Sequence, residues 1–205
     1  MGMILAAVGV LTSAGGARAV SAAGLGEVAA GTAKWNAIAL AMDNTSAISN
    51  AQALASAISG TEQILKWNAG IQNFEYYVVS SGAGTNFSMV VGEPYLLLMN
   101  NTAPSTFSLV GSVPPATGSS GAVEFSIIGG TSCKWNHISL PLDHGSISNA
   151  QELASDIGNV EQVLRWNATI QNFEYYVVSS GAGTNFQTGV GQPFWICSSQ
   201  SKIWP

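Results

Sequence analysis

Charge is the scarcest commodity in this chain. Asp, Glu, Lys and Arg together make up 8% of its 205 residues, against a usual quarter. The six Lys and Arg stand singly, and the net charge is −5. Nucleic-acid binding needs clustered cations that release condensed counterions, so that class of partner is excluded. Anionic membrane surfaces are disfavoured for the same reason. Long apolar runs are missing too. The best stretch, Met3 to Leu11, is far too short to span a bilayer as a helix. Disorder is excluded from the other side, because 47% of the residues are hydrophobic.

Catalytic signatures are equally sparse. The Ser81-Gly82-Ala83-Gly84-Thr85-Asn86 segment lacks the third Gly, the Lys and the following helix of a phosphate loop, and reads as a turn between strands. No Gly-x-Ser-x-Gly elbow or Cys–His arrangement occurs. His137 and His144 face Ala37 and Asn44 in the equivalent stretch upstream, and read as isolated residues rather than a metal or acid–base pair. Glu75 and Glu174 are equivalent strand positions, and Asp43 and Asp143 brace turns. No catalytic residue, metal ligand or cofactor is therefore assigned, and the chain is expected not to be an enzyme.

What is abundant is Gly, Ala, Ser, Thr and Asn, a surface that is polar without being charged. Copies with such surfaces repel one another little. The chain is also a duplication. Trp67 to Phe87 recurs as Trp166 to Phe186 with one difference, Gly70 against Thr169. Lys34-Trp35-Asn36 recurs as Lys134-Trp135-Asn136, and Gly92-Glu93-Pro94-Tyr95 as Gly191-Gln192-Pro193-Phe194. The offset is 100 at the first Trp and 99 afterwards, with one residue lost near Gly145.

Each copy has the same predicted plan. A strand (35–42, 135–142) leads through an Asp turn to a short helix, with Ser49/Gln52 and Ser148/Gln151 read as capping boxes. The helix carries an apolar stripe, Ala51, Leu54, Ala55, Ile58 and Ala150, Leu153, Ala154, Ile157. Strands follow at 63–68 and 74–80, then 95–99, with equivalents at 162–167, 173–179 and 194–197. The expected fold class is mainly β, two tandem sandwich-like modules with one short helix each. Module 1 is set at 31–113, a linker and opening strand at 114–130, and module 2 at 131–205, after an N-terminal extension at 1–30.

Module 1 continues into a further strand, Ser105 to Gly111, whereas at the offset of 99 the chain end, Pro205, falls opposite Thr106. Module 2 is therefore expected to lack its final strand. Residues 3–11 align with the closing strand of module 1, Leu5 on Phe107 and Val8-Gly9 on Val110-Gly111. They read as a donor strand for module 2 of a neighbouring copy, with Ile4, Leu5, Val8, Val10 and Leu11 as the inserted side chains. Head-to-tail donation does not close on itself, so the expected product is a homopolymeric filament, with no membrane in the assembled form. The competing reading of residues 3–14 is a signal-peptide core with Ala17-Arg18-Ala19 as cleavage site. Both place the protein outside the cell or on its surface.

This plan resembles filament subunits assembled by donor-strand complementation, such as chaperone–usher pilins and archaeal or bacterial extracellular fibre proteins. The likeness rests on the apolar Met3–Leu11 extension and the C-terminal module. The Trp135-to-Asp143 string is similar to openings of repeated modules in secreted bacterial proteins. Neither resemblance implies catalytic residues.

Cys133 and Cys197 are either two buried thiols or a disulfide, and the latter is favoured because both lie near strand ends in module 2. Asn44, Asn86, Asn100 and Asn167 head Asn-x-Ser/Thr sequons, so glycans are possible partners. A carbohydrate-binding or surface-layer role is the alternative function. Trp35, Trp67, Trp135, Trp166, Tyr76 and Tyr77 are then candidate sugar-stacking rings, unless they pack the core.

Overall fold

A β-hairpin used twice organises the molecule. The computed structural model describes residues 6–7, 21–28, 31–101 and 105–205. In chain order the first half holds β1 (Ala6–Ala7), β2 (Ser21–Val28), β3 (Gly31–Ala39), α1 (Ala51–Ala57), β4 (Thr61–Asn68), β5 (Asn73–Val78), β6 (Pro94–Asn101) and β7 (Ser105–Ser112). The second half holds β8 (Phe125–Ile127), β9 (Lys134–Ser139), α2 (Ala150–Ile157), β10 (Val160–Asn167), β11 (Asn172–Val177), β12 (Ala182–Gly183), β13 (Pro193–Ser198) and β14 (Lys202–Trp204). The fold is mainly β with two short helices, as the repeat predicts.

Both modules build the same antiparallel main sheet, β3-β6-β4-β5 in the first and β12-β11-β10-β13-β9 in the second. The β4/β5 hairpin runs in register from Gln63↔Val78 to Asn68↔Asn73, and β10/β11 copies it from Gln162↔Val177 to Asn167↔Asn172. Side chains alternate across these strands. Ile64 and Tyr77 face inward, while their neighbours Leu65, Trp67, Phe74 and Tyr76 share the outer face. The helix stripe closes the inner face. Ala51, Leu54, Ala55 and Ile58 pack with Ile64, Tyr95, Leu97 and Met99. Ala150, Leu153, Ala154 and Ile157 pack with Val163, Phe194 and Ile196. Each fully buried Leu or Ile contributes about 1.5–3 kcal/mol. The two cores are separate clusters.

The helix starts lie one residue further on than the sequence pattern suggests. Asn50 and Asn149 are the N-caps, their Oδ1 atoms accepting from the Ala53 and Glu152 amides at 2.9 Å. The expected pairs Ser49/Gln52 and Ser148/Gln151 do not form boxes. Asn caps as well as Ser, and only module 2 has an acid at the third position. Glu152 returns to the Ser148 amide (2.7 Å) and hydroxyl (2.8 Å), bonds that lower its pKa. The Gly-rich turns add a second cap. Asn86 accepts from the Gln52 amide at 2.9 Å and Asn185 from Gln151 at 3.0 Å. This ties the repeated Gly-Thr-Asn-Phe string to the helix start rather than to a phosphate.

The closing strand is the main correction. Module 2 does not lack it. β14 pairs with β8 (Ile127↔Lys202, Ser126↔Ile203, Phe125↔Trp204), as β7 pairs with β2 from Val28↔Ser105 to Ser21↔Ser112. Strand β13 is two residues shorter than β6, so the chain turns two residues sooner and the offset drops from 99 to 97. A fixed offset misses that. Trp204 is 3% exposed, stacks on Phe125 and donates its indole N–H to Asp156 at 2.7 Å. The ladder is cut to three rungs from eight, but the second core is closed.

Candidate functional site: the joint between the modules

The most elaborate polar geometry in the described residues lies where the two modules meet. The hairpin turn Asn68 to Asn73 is shaped by Asn68, whose Oδ1 accepts from the amides of Gly70 (3.0 Å) and Ile71 (3.4 Å). That turn forces Gln72 to a φ of +53°, and Gln171 takes the same +53° in the second copy. A non-glycine residue there is strained and persists only where its surroundings repay it. Here the side-chain amide is aimed at the other module.

Gln72 behaves as a one-residue strand. Its Oε1 accepts from the Trp135 amide and its Nε2 donates to the Trp135 carbonyl, both at 2.9 Å. Trp67 donates its indole N–H to the same carbonyl at 3.0 Å. Trp135 lies on β9, an edge strand of its sheet, so these contacts cap backbone groups that would otherwise be left open. The mirror set is complete. Gln171 accepts from the Trp35 amide (2.7 Å) and donates to its carbonyl (3.0 Å), and Trp166 donates to that carbonyl at 2.9 Å. Trp35 lies on β3, the edge of the first sheet. The joint is thus a pseudo-two-fold clasp, each hairpin holding the edge of the opposite sheet.

The chain matches no family model, no curated protein and no solved structure.

Two residues break the symmetry. His137 and Trp195 lie opposite each other on β9 and β13, where module 1 has Ala37 and Leu96. Their rings stack at 3.5 Å, and Phe173 meets Trp195 edge-on at 5.1 Å. Both His137 ring nitrogens are buried without a hydrogen-bond partner among the described residues. Burial lowers its pKa well below the usual histidine value, so the ring is neutral. It borders a cleft of about 360 Å³ that Lys66, Trp67, Glu93 and Glu124 also line. The Lys66 ammonium lies 3.6 Å from Glu75 and 3.9 Å from Glu93. Burial raises the Glu93 pKa against the pull of Lys66, and the Tyr95 hydroxyl donates to it at 2.8 Å.

The buried imidazole makes stability depend on pH. The unfolded chain takes up a proton near the ordinary histidine pKa and the native ring does not, so its contribution is full above about pH 6.5 and falls as pH drops below it. Wild type is expected to lose up to about 1.4 kcal/mol per pH unit in that window relative to His137→Phe. Urea melts of both proteins between pH 7 and pH 5 check this. Parallel pH profiles would count against a neutral buried His137.

The other predicted residues fall as follows. Cys133 and Cys197 form a disulfide with Cα atoms 5.3 Å apart, which points to an oxidising compartment. Among the described residues no helix is long and apolar enough to cross a membrane. Ile4, Leu5, Val8, Val10 and Leu11 lie outside the described residues. Between them, β1 pairs with β2 through Ala6↔Gly24 and Ala7↔Ala23. Asn44 is 5% exposed. Asn86 and Asn100 are exposed, and Asn100 donates to Glu62 at 2.8 Å. Asn167 shapes the clasp hairpin by accepting from the Thr169 amide at 3.0 Å. Asp43 braces its turn, accepting from the Thr45 hydroxyl at 2.7 Å. For Asp143, slight burial raises the pKa, but bonds from Thr117 and His144 outweigh it and hold the value down to about 2.

The four candidate tryptophans are half-buried, and Trp67 and Trp166 pack edge-on against Phe74 and Phe173 at 4.9 Å. Tyr77 is core at 6% exposure, leaving Tyr76 as the candidate ring in the open. Sequence reasoning missed Gln72 and Gln171 entirely. Their signal was an Ile-Gln-Asn string kept in both copies of the turn, beside the one position of the 21 that differs, where no turn rule calls for glutamine.

Proposed function

We propose that the protein is a non-catalytic structural subunit of an extracellular assembly whose copies are joined by β-strand addition at their small sheets. The observation that carries this reading is the pairing of β1 with β2. Among the described residues, a short N-terminal strand adds to the small sheet of module 1 and makes it three-stranded, whereas β14-β8 in module 2 has two strands. Residues 3–11 of one copy are the donor, and the small sheet of module 2 in the next is the acceptor. The donor extends this closed sheet at an edge instead of replacing a strand. Among the described residues two pairs hold β1 to its own module, Ala6↔Gly24 and Ala7↔Ala23. Ladder bonds and buried alternate side chains supply the affinity. The weakly charged surface adds little repulsion between copies, and the disulfide suits an oxidising exterior.

Removing residues 1–12 is expected to abolish polymers in electron micrographs while leaving the melting temperature of module 2 unchanged. Polymers forming at the wild-type rate would overturn the reading.

A second reading, sugar binding, is favoured by Tyr76 and Tyr175, 46% and 50% exposed. Each ring lies over a glycine, Gly84 or Gly183 at φ +91°, where a Cβ would come within 2.8 Å of a ring carbon. Glycan-array binding lost in Tyr76→Ala and Tyr175→Ala, with polymerisation intact, would select that reading.

A further inference from the structure

The clasp is self-complementary, which a joint inside one chain does not require. Module 1 offers module 2 an edge strand with an open Trp35 peptide, a left-handed glutamine and an indole N–H. Module 2 offers the same three groups back. That reciprocity is the mark of an isologous interface, the kind that forms between identical subunits. The hairpins that make it differ at one position in 21.

Nothing in either core ties the modules together, because the two buried clusters are separate. Twelve residues link Ser112 to Phe125, and residues 115–121 are all exposed. The linker meets module 2 through the Thr117 amide on Asp143 at 2.6 Å and along a cleft that Pro114 and Pro115 share with Leu140 and Pro141. The joint can therefore open without unfolding either module.

We propose that the joint is also an intermolecular docking surface, whose partner is a second copy of this chain, module 1 of each copy clasped to module 2 of the other. This pairing reproduces between copies the contacts that the two modules make within one chain. The Ser139 hydroxyl donates to the Gly92 carbonyl at 2.6 Å, and the matching position in module 1 is Ala39. The exchanged dimer keeps every bond of both clasps and adds only the entropy of association. This inference is independent of the N-terminal strand, because it uses neither β1 nor the small sheets.

The test is a full chain with Ala116–Gly121 deleted, which halves the linker and cuts its reach by about 20 Å. It is expected to run as a dimer, doubling the molar mass in light scattering, and to return to monomer when Gln72→Asn and Gln171→Asn are added. A folded monomer with an intact disulfide, or a dimer that survives both substitutions, would overturn the proposal. Should the shortened chain fail to fold, heavy- and light-isotope wild type can be mixed, taken through mild denaturant and refolded at high concentration. Native mass spectrometry is then expected to show mixed dimers that the double-asparagine chain does not form. Monomers alone from wild type would equally overturn it.

Discussion

Replacing Gln72 and Gln171 together by asparagine is expected to split one cooperative unfolding transition into two. Asparagine keeps the amide and tolerates positive φ better than glutamine, but it is one methylene short of the opposite strand. Each substitution removes the pair of bonds that satisfies one Trp peptide. Each such bond is worth about 0.5–1.5 kcal/mol net. Each single change should therefore cost about 2 kcal/mol and the pair about 4, with coupling because both close one joint. Calorimetry of the two singles and the double reads this directly. If backbone strain outweighed the clasp, asparagine would raise the melting temperature instead.

The second large effect is the disulfide. Cys133 and Cys197 are 64 residues apart, and constraining an unfolded loop of that size is worth about 4 kcal/mol in the chain-entropy account. The bridge sits beside the clasp, since Cys197 pairs directly with Trp135 across β13 and β9. Module 1 builds the equivalent strands with Ala33 and Leu98 at those positions, so the fold itself does not need it. Cys133→Ser with Cys197→Ser is expected to bring module 2 out of the shared transition and melt it more than about 15 °C below the wild type. Reductant should do the same to wild type. Equal melting of the oxidised and reduced protein would show that the bridge constrains little.

The sequence was most informative where structure is periodic and local. Alternation in Gln63–Asn68 and its partners named the hairpins, and the Ala51-Leu54-Ala55-Ile58 stripe named the face of α1 that is buried. The cap was off by one because Ser49 and Asn50 are both good caps, and only the backbone geometry chooses between them. The closing strand was misjudged because repeat arithmetic assumes equal strand lengths, and β13 is shorter than β6. The joint was invisible for a different reason. Its bonds run from side-chain amides to main-chain groups, and main-chain groups carry no sequence signature. His137 could be flagged as unpaired in the repeat, but its stacking on Trp195 depends on a cross-strand register that only the fold supplies.

Hydrogen exchange at the main-chain amides of Trp35 and Trp135 tests the clasp most directly. Both lie on strands that end their sheets, where an uncapped amide exchanges freely with solvent. The account predicts slow exchange at both, with Trp135 speeding up in Gln72→Asn and Trp35 in Gln171→Asn. Fast exchange at either amide in the wild type, at the rate of an open sheet edge, would contradict it.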